Sequence, residues 1–216
     1  MNPQDYVKKG TTTVGIMCKD GIVLAADKRA TAGNFIADKK VEKVRKITDN
    51  LAVTIAGGVS DIQMLLKLIK AEISLRQVRT GKDPSVKETV NLLSTIVFHN
   101  IRRFSTIIGV TAFIVGGQDN EGFHLYGISP DGSLTEEDEY TSDGSGSMMA
   151  YGVLDSSYTK GMSIADGIKL AVKAINSSIQ RDTYSGEGID VYTITKEGIK
   201  KVVEQTIEPE YRDDKK

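Results

Sequence analysis

A glycine followed by three threonines, Gly10-Thr11-Thr12-Thr13, stands directly after a short charged leader. Three β-branched residues can simply begin a strand. They also permit a chemistry that needs no histidine. If the Gly10–Thr11 bond is cut, the Thr11 hydroxyl becomes a nucleophile that carries its own α-amine as base. Such an amine has a pKa of roughly 7.7 to 8.0, so part of it is neutral near pH 7 and can take the hydroxyl proton. Before the cut that nitrogen is an amide and no base, which makes the leader a chemical lock. The shortage of other equipment points the same way. With 2 His and 1 Cys in 216 residues, a Ser-His-Asp or Cys-His device has little to draw on, and a structural zinc site lacks ligands.

Asp27 is the second candidate. It ends the apolar run IVLAAD, and the segments Thr12–Lys19 and Gly21–Asp27 read as a hairpin around Asp20-Gly21. A two-residue loop puts Asp27 opposite Val14 and a three-residue loop puts it opposite Thr13. Either places it ~7 to 10 Å from Thr11 at ~3.3 Å per residue. An acid there starts a turn or pairs with a buried cation. Lys28, Arg29, Lys39, Lys40 and Lys43 are on offer, and spacing does not choose among them.

The elements that must position these groups follow in order. The run Leu51–Ala56 reads as a strand ending at Gly57-Gly58, and Val59, Ile62, Leu65, Leu66, Ile69 and Ile73 then form a helical stripe. Asp83-Pro84-Ser85 with Glu88 announces a second helix, with proline in its first turn and a capping box. Val86, Val90, Leu93, Val97, Ile101 and Phe104 are its expected buried face. Short strands are expected at Val110–Val115, His124–Ile128 and Gly132–Thr135. A short helix at Met148–Leu154 comes next, and then a longer one starting near Ser163, with Asp166 three residues on. Strands at Asp190–Thr195 and Lys200–Thr206 close the chain before a frayed charged tail, EPEYRDDKK. Gly57, Asp182 and Ser185 each have a structural reading as turn or cap residues. His99, His124 and Cys18 read as structural, and the acidic run Glu136–Glu139 reads as a solvated hairpin.

This order is α+β, with two antiparallel sheets packed together and flanked by helices. The length suits one domain able to bury ~70% of its unfolded surface. A formal net charge of -1 provides no field for nucleic acid or anionic lipid. The leader has no apolar core and no segment reaches ~18 apolar residues, so the expectation is a soluble intracellular protein with no nucleic-acid or membrane partner.

GTTTVG, AADKRATAGNFIA, EKV, TIAGG, the GSGS segment and RDTYSGEGIDV, in that order, together resemble the β subunit of the proteasome core particle, of archaeal type. The resemblance implies a four-layer αββα sandwich of the N-terminal-nucleophile hydrolase fold. It implies a propeptide at residues 1–10, removed by self-cleavage between Gly10 and Thr11, and a single domain over residues 11–216. Thr11 corresponds to the nucleophile, Lys43 to the catalytic lysine, Asp27 to the acid that holds it, and Gly57 to the oxyanion donor. Ser145, Asp182 and Ser185 correspond to the polar cluster around the amine. Ala30, Val41, Ile55 and Val59 correspond to the first specificity pocket, with Arg45 and Gln63 nearer its edge. Those walls favour a hydrophobic residue before the cut. No metal or cofactor is implied. Implied partners are α subunits and other β subunits in stacked seven-membered rings, a ring ATPase unfoldase, and unfolded protein substrates, in the cytoplasm. Competing readings are another N-terminal-nucleophile amidohydrolase and a silent structural ring subunit that keeps its leader.

Overall fold

A computed structural model describes residues 10–207; the leader before Gly10 and the tail EPEYRDDKK lie outside the described residues. Strands β1 (Thr13–Cys18) and β2 (Gly21–Asp27) form the expected hairpin, and β3 (Ala30–Ala32), β4 (Phe35–Asp38) and β5 (Val44–Lys46) follow. Then come β6 (Leu51–Gly57), α1 (Val59–Thr80), α2 (Val86–Arg102), β7 (Thr111–Asp119), β8 (Gly122–Ile128), β9 (Leu134–Glu136) and β10 (Tyr140–Asp143). The chain continues through α3 (Ser147–Ser157), α4 (Ile164–Ile179), β11 (Gly188–Thr195) and β12 (Gly198–Thr206). One five-stranded sheet has the order β10-β1-β2-β11-β12, the other β5-β6-β7-β8-β9, and β3 and β4 pair as a separate two-stranded ribbon. The pairings are antiparallel in both.

Three apolar clusters correspond to the three interfaces of a four-layer stack. Ile69, Val90 and Leu93 of α1 and α2 pack on Val53, Phe113 and Val115 of the second sheet. Ala171, Ala174 and Ile175 of α4, with Leu154 of α3, pack on Val14, Ile16 and Val23 of the first. Ile22 and Leu24 meet Ile114 and Leu125 between the sheets. The sheets approach closely at Gly15, where a Cβ would stand 2.7 Å from Ile114 Cγ2 and 2.8 Å from Leu125 Cδ1. This is the expected αββα sandwich.

The helix starts follow their local chemistry. Ser85 caps α2 through the Glu88 N–H, and the Glu88 side chain returns to the Ser85 N–H, completing the capping box. Pro84, however, precedes the cap and is not in the first turn. The Ser163 side chain accepts the Asp166 N–H at the start of α4. Helix α2 ends at Arg102, so Ile101 is only half-buried and Phe104 lies beyond the helix in full solvent.

Three further expectations are corrected. The hairpin loop is Lys19-Asp20, because Gly21 pairs with Cys18 inside the ladder. Asp27 therefore faces Thr12, not Val14 or Thr13, and its N–H reaches Thr12 O at 3.2 Å. Glu136–Glu139 is not a hairpin: β9 belongs to one sheet and β10 to the other, so this acidic run is the crossing between them. The β3–β4 ribbon and the edge strands β5 and β10 have no counterpart in the sequence reading. They are three or four residues long, too short to show alternation.

Candidate active site

Thr11 precedes β1 at the point where the two sheets open. It is buried, as are Thr12 and Thr13. The Asp27 carboxylate, fully buried at the end of β2, collects four donors. Oδ1 accepts Thr12 N–H at 3.0 Å and Lys43 Nζ at 2.7 Å. Oδ2 accepts Arg29 N–H at 3.0 Å and Gly186 N–H at 2.9 Å. The strand-end acid is thus the partner of a buried lysine, and of the five cations available the fold selects Lys43. Burial pushes the Lys43 ammonium below the usual lysine range, and the Asp27 charge and hydrogen bond push it back up.

On the other side of Thr11 a chain of hydroxyls and a carboxylate closes from distant segments. Thr11 N–H donates to Ser145 Oγ at 3.2 Å, and Ser145 Oγ donates to Asp182 Oδ2 at 2.6 Å. Ser185 Oγ donates to the same Asp182 oxygen at 2.6 Å and lies 2.7 Å from Thr12 Oγ1. Asp182 also has its structural part: its N–H closes the end of α4 on Ser178 O at 2.7 Å, and its carbonyl and carboxylate accept Ser185 N–H at 3.2 Å and Tyr184 N–H at 3.3 Å in the turn that follows.

Thr11, Lys43 and Gly57 line one solvent-open pocket of about 360 Å³, together with Ala30, Val41, Ile55 and Val59. All four residues expected to form the specificity pocket are brought together, and Ile62 and Thr31 join them. Arg45 and Gln63 are not part of the lining; Arg45 instead pairs with Glu42 at 3.0 Å. Gly57 has φ +115°, and a Cβ there would fall 2.1 Å from Val110 O, so only glycine fits. Gly10 is as constrained, since a Cβ on it would stand 2.0 Å from Tyr184 Cβ. The Gly10–Thr11 bond is therefore seated tightly beside Ser145.

A family model described as "Proteasome subunit" matches residues 7–194. The chain belongs to that family. It is 48% identical over 200 residues to the protein named proteasome subunit beta of Methanocaldococcus vulcanius, covering 92% of this chain and 88% of that one. It is 44% identical over 204 residues to the protein of the same name from Ferroglobus placidus, covering 94% and 95%. To that of Archaeoglobus profundus it is 48% identical over 195 residues, covering 90% and 89%.

Several groups around Thr11 of this proteasome subunit were missed by sequence reasoning. Thr12 links the two halves of the site, through its N–H to Asp27 and its hydroxyl to Ser185. Arg29 ties the end of β2 to the loop after α4, reaching Thr183 O at 2.8 Å and Glu187 Oε1 at 3.1 Å. Gly144 has φ +96° and a Cβ on it would meet Thr11 O at 2.1 Å, while Gly146 N–H donates to Thr11 O at 3.3 Å. The glycines of DGSGS were the available signal: they flank Ser145 because the main chain must pass against Thr11. His124 is structural, with Nε2 3.1 Å from Asp119 Oδ1. His99 lies exposed on α2, edge-on to Phe98. Cys18 is a buried core residue whose thiol is pushed up to about 12 by burial. No helix among the described residues is long and apolar enough to cross a membrane.

Proposed function

We propose that this chain is the proteolytic β subunit of a proteasome core particle, a threonine endopeptidase that activates itself by cutting Gly10–Thr11. The observation that carries this reading is the convergence of Thr11, Lys43 and Gly57 on one pocket, with Asp27 on the lysine and Ser145 on the Thr11 nitrogen. In the precursor the Thr11 hydroxyl attacks the Gly10 carbonyl. An N-to-O acyl shift breaks the C–N bond and forms an ester, and water then releases residues 1–10 and restores the hydroxyl. The freed amine becomes the base. The positive charge of Lys43 favours the ionised hydroxyl, and Asp27 holds that ammonium in place. The Gly57 N–H serves the developing oxyanion, where one donor is worth ~10² to 10³ in rate. Ser145, Asp182 and Ser185 position the amine and carry its proton.

Substrate preference follows the pocket. Ala30, Val41, Ile55 and Val59 offer a hydrophobic residue an apolar wall, while the charged groups of the same lining, Arg29 and Lys43, are already paired with Glu187 and Asp27, so a charged residue loses water there without a free counter-ion. We place the chain in the cytoplasm, in seven-membered rings of β subunits stacked on rings of α subunits. A ring ATPase feeds unfolded proteins to the chamber, and neighbouring subunits complete the cleft.

Co-expression with a related α subunit, followed by intact mass and hydrolysis of quenched peptides, tests the reading. The expected product has lost residues 1–10 and cuts after Leu in preference to Arg or Glu. Thr11→Ala keeps its leader and hydrolyses nothing. Hydrolysis by Thr11→Ala, or a wild-type chain that stays full length, overturns the assignment.

A further inference from the structure

Thr11 and Gly57 stand where two pockets meet. Beyond the first, a second open pocket of about 380 Å³ is lined by Ala56, Val110, Ala112, Pro130, Asp143 and Gly144. Its walls are apolar apart from one ionisable side chain, Asp143. That residue ends β10 directly opposite Thr13, and antiparallel partners project to the same face. Thr13 shares its face with Gly15, two residues on, which abuts Ile114 and Leu125 of the other sheet. The Asp143 carboxylate therefore enters the gap between the sheets, where this pocket lies.

Unlike Asp27, this carboxylate is only partly served. Its Oδ2 is buried without a hydrogen-bond partner, and among the described residues no ion pair includes Asp143. Burial raises its pKa above the usual carboxylate range, offset only in part by the Gly144 N–H. A carboxylate with a spare oxygen beside an apolar cavity attracts a donor from outside.

The two pockets also have a direction. Gly10, on the acyl side of the bond at Thr11, lines the first pocket. The Thr11 nitrogen, which returns the proton to the leaving amine, rests on Ser145, two residues from Asp143. The leaving strand of a substrate is thus delivered toward the second pocket.

We infer that Asp143 makes the second pocket a leaving-side subsite for a cationic side chain, a Lys or Arg within two residues after the cut bond. This rests on the threonine-peptidase reading and specifies its substrates. The test uses assembled particles and quenched peptides with Leu before the cut and Lys, Gln or Glu at each of the two following positions. In wild type, kcat/KM for the best Lys peptide exceeds that of its Gln counterpart by roughly tenfold, the scale of a close, partly desolvated charge pair, and the Glu peptide ranks last. Asp143→Asn and Asp143→Ser both level Lys with Gln while the Gln peptide is still cut. Hydrolysis with no Lys preference in wild type, or a preference that survives both substitutions, overturns the subsite and leaves the peptidase reading standing. No hydrolysis of any peptide overturns both.

Discussion

Asp27 and Lys28 are neighbours in the chain, yet each anchors a separate buried ion pair with a different character. Lys28 Nζ lies 3.3 Å from Asp190 Oδ1 and 3.1 Å from Glu204 Oε1, and Lys201 bridges Asp190, Glu204 and Glu42. This lysine has two anions, joins β11 and β12 to the end of β2, and lines neither pocket at Thr11. Lys43 has one anion, Asp27, and points into the pocket with Thr11. Asp27 is saturated by three backbone N–H groups besides the lysine. The structural cluster serves its lysine with two anions and leaves Asp190 Oδ2 buried without a partner. The pair beside Thr11 satisfies only the acid and leaves the lysine's remaining donors facing the pocket. Glu42 connects the two, because it precedes Lys43 and is held by Tyr192 OH and Lys201.

The comparison breaks first at Asp27. Asp27→Ala strands Lys43 and three buried N–H groups, so the expected loss is ~3–5 kcal/mol of stability together with all hydrolysis. Denaturant melts and peptide assays check both, and a stable, active variant would remove Asp27 from the account. Next, Lys43→Met lowers kcat/KM by roughly 10² to 10⁴. Its stability changes little, since Asp27 keeps three N–H partners. A wild-type rate in Lys43→Met contradicts the lysine's role.

Lys28→Met should do the reverse. It leaves Asp190 buried with only Lys201 nearby and lowers stability toward the lower end of ~3–5 kcal/mol, while the hydrolysis rate stays within about threefold of wild type. Equal rate losses in the two lysine variants would erase the distinction between the pairs.

The smallest effect is in pH. The lowered Lys43 pKa makes hydrolysis fall on the alkaline side before an ordinary lysine titrates near ~10.4. Asp27→Asn, if residual activity allows, moves that limb lower still, because the Asp27 charge raises the lysine. Between the lowered folded value and the ordinary unfolded one, the unfolded chain binds the extra proton. Stability from this group therefore rises with pH across that window. Chemical denaturation over the same range checks the slope, which Lys43→Met should flatten; an unchanged slope would separate it from Lys43.

What was legible in the sequence shares one property: it is local. Ser85 with Glu88 and Ser163 with Asp166 are three residues apart, and one turn of helix brings them together. The hairpin was legible too, but its register slipped because Gly21 served equally as loop or strand. The β3–β4 ribbon and the edge strand β10 were not legible, since β3 and β4 are only three and four residues long and β10 is the polar segment YTSD.

By itself the sequence determined a threonine run at the start of a strand, in a chain too poor in His and Cys for the usual bases, and the helices that flank it. Only the tertiary structure decided which lysine meets Asp27 across 16 residues, and that Ser145 meets Thr11 across 134. It also left Asp143 facing a cavity without a partner. The physical reason is range. Periodicity and capping are written in neighbouring residues, whereas an ion pair or a hydroxyl relay between distant segments exists only once the register of two sheets has fixed where each strand ends.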